Sequence, residues 1–375
     1  MITTKDRHQL QRHLKQATQL YKTREKLWQT GAKINQLQSL ELRLFASLSI
    51  LSNYASDFLL TDWPRRPAEE KIALLAVLQS NDEEVISFAI ETYQAILKAN
   101  DYSDEYLSLL VLAQPINVTR QYVDRLLDAG IFNSKSEHIL NACQWSPDTI
   151  RYLVIQAQIK LPFWLDETDE LKHSVTGSIR RRLMQRDPSS EHQLTGYLQQ
   201  QDSECQQWQW LPLVQNTTAL NLFFEHSEQI PQHLWAAVFN GTSDVLANLE
   251  GSLEKSSLAD IAAWSLEQLL NEPVQWQPAV AEAVTGKTLA NVAMIPRLAK
   301  ALPELNQPIL LGQPKTPLLF THWLLAQPRQ YQSAGWIHLA QLSEQLMPDL
   351  SMQWLHTQLV YLSTIFPAPE NSHAA

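Results

Sequence analysis

The chain has 375 residues, enough to bury a large hydrophobic core without disulfide or metal staples. Its formal net charge of −10 disfavours nucleic acid and anionic lipid as partners, because both are negatively charged. The 9 glycines, beside 19 prolines and 12 tryptophans, favour helices over sheets and leave no glycine-rich loop for a phosphate.

The clearest predicted element is a first helix with one apolar stripe. The stripe consists of Leu10, Leu14, Ala17, Tyr21 and Trp28. Spacings of three, four and seven residues are typical of one helix face. Thr3 or Thr4 is the expected N-cap, and Gly31 is the expected residue just beyond the C-terminus.

A second long helix is predicted over 36–60. Its stripe consists of Leu37, Leu40, Leu44, Leu48, Leu51 and Phe58. Two long helices joined by a short loop form an antiparallel hairpin. We therefore expect Leu14, Leu44 and Leu48 to be buried.

Beyond Pro67 the predicted helices are shorter and are punctuated by proline and by capping residues. They cover about 83–98, 119–130, 147–160, 166–186, a stretch after 188, a stretch after 231, 244–253, 258–271, 276–285, 288–301, 316–326, 330–346 and 350–365. No run of alternating β-branched residues predicts a strand, and residues 367–375 are expected to be disordered.

Many short helices joined by short turns indicate an all-α protein, and we predict a HEAT/armadillo-like helical-repeat solenoid. A shift of 72 residues aligns Ala262 with Ala334 and Trp264 with Trp336, which corresponds to two repeats. Net charge is +5 over 1–60, −6 over 61–200 and −9 over 201–375. We therefore predict an N-terminal hairpin (1–62), acidic repeats (63–200) and weakly charged, Trp/Gln-rich repeats (201–366).

Candidate chemical groups are few. Arg180, Arg181, Arg182 and Arg186 form a basic cluster, but consecutive residues fan around a helix and preceding carboxylates can neutralise them. The adjacent Glu–His pairs lack the spacing of a metal-binding helix, and Pro231 is expected to keep His226 from aligning with His233. Histidines beside tryptophans, such as His338, are interpreted as surface residues. We expect no metal and no cofactor.

Cys143 and Cys205 belong to no CxxC pair, so we expect reduced thiols, although a disulfide between them stays open. Trp208 and Trp210 flank Gln209 in a polar stretch. Because exposed tryptophan is a common interface anchor, these two residues are the candidate protein-binding residues.

Two segments resemble a known family. The hairpin string Leu37-Gln38-Ser39-Leu40-Glu41-Leu42-Arg43-Leu44-Phe45-Ala46-Ser47-Leu48, with Ala17 to Arg24 before it, is similar to HEAT-repeat-like proteins encoded in bacterial type VI secretion gene clusters. The stretch from Gly241 to Leu269 is similar to that family's glycine-initiated helical unit. The resemblance implies a HEAT-like fold, an accessory role in secretion and no catalytic residues.

The leading prediction is a cytoplasmic, non-enzymatic scaffold or adaptor that binds another protein. The absence of an apolar leader and of a ~20-residue apolar run supports the location and predicts no membrane insertion. An immunity or chaperone protein that holds a toxin or effector is the first alternative. A HEAT-fold nucleic-acid enzyme is the lesser one, since it needs a basic groove.

Overall fold

The computed structural model describes residues 3–366, except for residues 81, 102, 114–119, 134–135, 144, 166–172, 215, 278–291 and 295–306. Most of the described residues are helical, which confirms the all-α prediction. The predicted disordered tail, 367–375, lies outside the described residues.

The chain folds into two compact units. Unit 1 consists of Met1–Ser178, Leu325–Trp336 and Leu346–Ala375, and unit 2 consists of Ile179–Leu324 and Ile337–Gln345. The three regions predicted from charge follow composition rather than contacts, and they stay predictions.

The helices of the first part of the chain are α1 (Thr4–Thr30), α2 (Ile34–Asn53), α3 (Ala55–Phe58), α4 (Pro67–Leu78), α5 (Glu83–Ala99), α6 (Asp104–Leu112), α7 (Arg120–Asp128), α8 (Glu137–Ala142) and α9 (Pro147–Ala157).

The predicted N-terminal hairpin is confirmed. Thr3 caps α1 through a reciprocal pair of bonds: the Asp6 N–H donates to Thr3 Oγ1 (3.2 Å), and the Thr3 N–H donates to Asp6 Oδ2 (2.9 Å). Gly31 ends the helix with a φ of +80°, a value that favours glycine. The second helix is shorter than predicted, because it ends at Asn53 and the short α3 follows after Tyr54.

The core of unit 1 gathers around α4. Every residue from Ile72 to Leu78 is buried, which agrees with a continuous apolar run rather than a stripe. The helix contacts α1, α2, α5 and α6. Leu14, Leu44 and Leu48 are also buried, at most 1% exposed, as the hairpin stripe predicted.

The remaining helices are α10 (Val175–Met184), α11 (Ser189–Leu198), α12 (Thr217–Gln229), α13 (Ser243–Ser252), α14 (Ala259–Leu270), α15 (Pro317–Leu325), α16 (Arg329–Ser343) and α17 (Leu355–Ile365), with 3₁₀ helices at Gln206–Val214, Pro231–Phe239 and Leu350–Met352. The stretch after Pro231 is therefore a 3₁₀ helix, and the polar stretch around Gln209, for which no helix was predicted, is another.

Two short antiparallel ladders correct the expectation of no strands. β1 (Gln275–Gln277) pairs with β2 (Val292–Met294), so residues 276–277 and 292–294 of the predicted helices 276–285 and 288–301 are extended. The rest of those two predicted helices lies outside the described residues. β3 (Ile309–Leu310) pairs with β4 (Gln313–Pro314).

The β3–β4 hairpin turns through two left-handed residues, Leu311 (φ +52°) and Gly312 (φ +70°), the backbone that a two-residue hairpin turn requires. Its N–H groups cover the end of α14, since Leu311 donates to the Gln268 carbonyl (2.9 Å) and Gly312 to the Leu269 carbonyl (2.7 Å). The hairpin thus satisfies carbonyls that the last turn of a helix leaves unpaired.

Gly241 permits the same hairpin to approach closely. Its carbonyl accepts from the Ile309 N–H (3.1 Å), and a Cβ at this position would lie 2.5 Å from the Ile309 carbonyl oxygen. With a φ of +66° as well, the position accommodates glycine and strains any other residue.

No disulfide joins Cys143 and Cys205. Within the part of the chain that the structure describes, no helix is both long enough and apolar enough to cross a bilayer.

Candidate functional site

A cleft with a volume of about 760 Å³ lies in unit 1. Residues of α2, of the start of α5 and of the start of α17 line it. Its lining divides into a buried floor and an exposed polar rim. We call this the unit 1 cleft.

The floor of the unit 1 cleft is an oriented tryptophan. The indole Nε1 of Trp354 donates to the carbonyl of Leu112 (2.7 Å), and the ring is 4% exposed. Phe45 packs against it edge-to-face, with ring centroids 4.8 Å apart and planes at 73°. This is a favoured aromatic geometry, so both the donor and the ring edge hold the indole in one position.

A buried cation lies behind Trp354. The guanidinium carbon of Arg24 is 4.5 Å from the Trp354 ring centroid and 3.6 Å from that of Trp28. Its Nε donates to Glu41 (2.8 Å), and its Nη2 donates to the Gln353 carbonyl (3.2 Å). The side chain therefore joins α1 and α2 to the segment that carries Trp354.

Glu41 completes this network and is 1% exposed. Besides Arg24, its carboxylate accepts the backbone N–H of Leu355 at 2.9 Å, at the start of α17. Burial raises the pKa of Glu41, while Arg24 and the N–H groups of Leu355 and His356 act in the opposite direction. A carboxylate at a helix N-terminus is also favoured by the helix dipole.

The rim of the unit 1 cleft is polar and almost uncharged. Ser49, Ser52, Asn53, Ser56, Gln79 and Thr357 supply hydroxyl and amide groups. The carboxylate of Asp82 is already engaged, because it caps α5 by accepting from the N–H groups of Glu84 (2.9 Å) and Val85 (3.3 Å). The cleft thus combines neutral donors and acceptors with an aromatic floor.

The predicted binding residues Trp208 and Trp210 lie elsewhere, on the 3₁₀ helix of unit 2. Trp208 is partly exposed, and its ring stacks on His226 with centroids 3.9 Å apart and planes at 5°. Trp210 is 8% exposed. Their role as interface anchors stays a prediction.

His226 and His233 meet although, as expected, Pro231 prevents one continuous helix from aligning them. His226 Nε2 lies 3.1 Å from His233 Nδ1. The 3₁₀ helix that begins at Pro231 turns back after α12 and brings the second imidazole beside the first. Burial lowers the pKa of His226 to about 4, with His233 as the second cause, and burial also lowers the pKa of His233. No group of three metal-ligating side chains occurs among the described residues.

Lys315 and His338 are two further basic residues of unit 2. Lys315 Nζ donates to the carbonyls of Val238 (2.9 Å) and Phe239 (2.8 Å), and burial lowers its pKa to about 7. His338 is 3% exposed and contacts the ring of Phe320, with centroids 4.8 Å apart. The interpretation of His338 as a surface residue is therefore corrected.

The arginine cluster is not a uniform solvated face. Arg180 is buried at 8% exposure, and Arg182 pairs with Asp187 at 3.0 Å. The carboxylates proposed to neutralise the cluster, at 166–170, lie outside the described residues.

Sequence reasoning missed the unit 1 cleft. The spacing of Ser49, Ser52 and Ser56 was an available signal, because small polar residues three and four apart form a helix face without apolar bulk.

Comparison with protein-family models, with curated proteins and with solved structures finds no match to this chain.

Proposed function

We propose that the protein is a non-enzymatic interaction scaffold and that the unit 1 cleft binds a short segment of another protein. The oriented Trp354 floor beneath a polar rim, whose one carboxylate, Asp82, is engaged in capping α5, carries this proposal. Clefts of roughly 300–1,000 Å³ with an apolar base and a few polar groups are typical ligand sites.

A peptide segment suits this chemistry. Backbone N–H and C=O groups are neutral and need one partner each, and the serine, asparagine and glutamine side chains of the rim offer both donors and acceptors. An apolar side chain of the bound segment would cover Trp354 and Phe45. Binding would then combine backbone hydrogen bonds with one aromatic contact.

The placement of the perturbed titratable groups supports binding over catalysis. Catalytic acids and bases are expected to have a shifted pKa and to face a cleft. Here Glu41, Lys315 and His338 are each held by interior contacts, and none of them lines the unit 1 cleft.

The finer parts of the prediction also remain proposals. A HEAT/armadillo-like arrangement would give an extended binding surface. An accessory role in type VI secretion rests on the resemblance of the hairpin. The alternative, an immunity or chaperone protein for a toxin or effector, is favoured by the net charge of −10, which would complement a basic protein.

Random peptides displayed on phage test the proposal directly. Ser49→Trp places an indole in the unit 1 cleft, and Ser39→Trp makes the same change at another exposed position of α2 outside it. Peptides selected on the wild type should bind Ser39→Trp unchanged and lose about tenfold or more in affinity for Ser49→Trp. Equal binding to both variants would refute a peptide-binding cleft. The same conclusion would follow if the phage library yielded no peptide while a glycan array showed binding to sugars.

A further inference from the structure

The solvent face of α1 carries a row of polar side chains, all of them basic except Gln19. Lys5, His8, Arg12, Lys15, Gln19, Lys22 and Lys26 follow one another at alternating spacings of three and four, and all seven are exposed. These spacings align side chains along one helix face. We call this the basic row, and it spans about 32 Å at 1.5 Å per residue.

The basic row points directly away from the core. The buried residues of the helix, which include Leu10, Leu14, Ala17 and Trp28, occupy the opposite side at 3.6 residues per turn. The apolar face of α1 is thus already used by the hairpin and by α4. The row itself contains no apolar residue.

The basic row has no ion-pair partner within the described part of the chain. Both carboxylates of α1 are engaged elsewhere, Asp6 in the N-cap and Glu25 with Arg24 (2.7 Å). The row therefore stays positive in a chain whose net charge is −10.

The basic row is also unfavourable for the helix that carries it. Like charges three or four residues apart, such as Arg12 with Lys15 and Lys22 with Lys26, repel each other and weaken a helix. Lys5 lies in the first turn, where the helix dipole disfavours a cation. An arrangement that local stability opposes points to a role in binding.

We propose that the basic row docks an acidic helix of a partner protein. A helix with Asp or Glu at alternating spacings of three and four has the same rise, so a carboxylate can face each lysine and arginine of the row, with Gln19 as a neutral position. A DNA duplex carries its phosphates on a curved path, and a straight row one residue wide meets few of them. This surface is distinct from the unit 1 cleft, so the inference goes beyond the proposed function.

Fluorescence anisotropy at low ionic strength tests the row with a designed probe. The probe is a labelled alanine-based helical peptide with glutamates at alternating spacings of three and four. A second peptide of the same composition has its glutamates spread around the helix. The wild type should bind the first peptide about tenfold more tightly, since several weak exposed pairs add together.

Charge reversal supplies the matched control. The triple variant Arg12→Glu/Lys15→Glu/Lys22→Glu should lose about tenfold or more in affinity for the aligned peptide. Lys33→Glu/Arg43→Glu/Arg65→Glu changes the net charge equally at exposed positions outside the row and should bind as the wild type does. If the reversed helix fails to fold, Arg12→Gln/Lys15→Gln/Lys22→Gln should show the same loss with an unchanged circular dichroism spectrum.

Three results would overturn the docking proposal. Equal affinity for the two peptides would remove the spacing argument. Equal weakening by the two triple variants would reduce the effect to net charge. Tighter, row-dependent binding of a DNA duplex than of the aligned peptide would assign the row to nucleic acid. Ser49→Trp should leave peptide binding to the row unchanged, which separates this test from that of the unit 1 cleft.

Discussion

Unit 1 buries the ion pair of Arg24 and Glu41, whereas unit 2 buries the imidazole pair of His226 and His233. Arg24 in unit 1 is 1% exposed and has a carboxylate, a backbone carbonyl and two aromatic rings as partners. His226 and His233 in unit 2 are 5% and 3% exposed and have each other, with Trp208 stacked above. The partners of Arg24 surround a permanent charge. The two histidines, in contrast, can lose their charge by releasing a proton.

The difference shows how much surrounding structure a buried polar group demands. A guanidinium stays protonated in proteins, so its burial requires several partners at once. An imidazole becomes neutral near pH 6.5, so it enters a core with one hydrogen bond and a ring contact. Unit 1 should therefore be sensitive to the removal of a partner, and unit 2 to pH.

Arg24→Met should produce the largest effect. It leaves Glu41 buried with its charge unmatched, and breaking a buried pair in this way costs about 3–5 kcal/mol of unfolding free energy. The double variant Arg24→Met/Glu41→Gln should recover part of that loss, because the glutamine oxygen can still accept from Leu355 N–H. Urea unfolding measures both, and a single-variant loss under about 1 kcal/mol would show that Glu41 finds another partner.

The second-largest effect is expected from acid, which should lower the stability of unit 2. The pKa of His226 is about 4 in the folded protein and 6.5 for an ordinary histidine, so the unfolded chain binds more protons between these values. The stability that the neutral form contributes is complete above pH 6.5 and is lost as pH falls toward 4, with a limit of about 3 kcal/mol.

His226→Phe isolates this term, since it keeps an aromatic ring beneath Trp208 but removes the titrating group. The slope of unfolding free energy with pH should become shallower between pH 6.5 and 4, whatever the absolute stability. His192→Gln, at an exposed position of α11, is the control and should keep the wild-type slope. An equal slope in all three proteins would assign the acid sensitivity to other groups.

Sequence patterns predicted the structural features that are determined by residues close together in the chain. The α1–α2 hairpin followed from a 3.6-residue period, the Thr3 cap and Gly31, all of which act within a few residues. The strands were missed because two- and three-residue ladders are too short to show a period of two. The β3–β4 pair depends on the left-handed turn at Leu311 and Gly312, which composition does not reveal.

The candidate site depends on contacts that no local pattern encodes. Phe45 and Trp354 form the floor of the unit 1 cleft from distant parts of the chain. Arg24 is one arginine among several in a basic helix until the fold places Glu41 and Gln353 beside it. The predicted anchors Trp208 and Trp210 were chosen from their polar neighbours, whereas packing against His226 and the interior decides their exposure.

The smallest effect on stability is expected at Gln19, the neutral member of the basic row. This residue lies at the surface, whereas the groups compared above lie in the interior. Gln19 is exposed, with Lys15 four residues before it and Lys22 three residues after it. Gln19→Glu creates two attractive pairs and should stabilise the protein by about 0.5 kcal/mol, while Gln19→Lys creates two repulsive pairs and should destabilise it by a similar amount. Glutamine, glutamate and lysine have similar helix propensities, so the difference reports charge alone. Thermal unfolding at low and high salt measures the stability difference between the two variants, and this difference should shrink as salt screens exposed charges.

Binding of the aligned acidic peptide should change in the opposite direction, tighter for Gln19→Lys and weaker for Gln19→Glu. If stability and binding instead rise together in Gln19→Lys, the repulsion along the row is negligible, and the argument that the row is maintained against local stability fails.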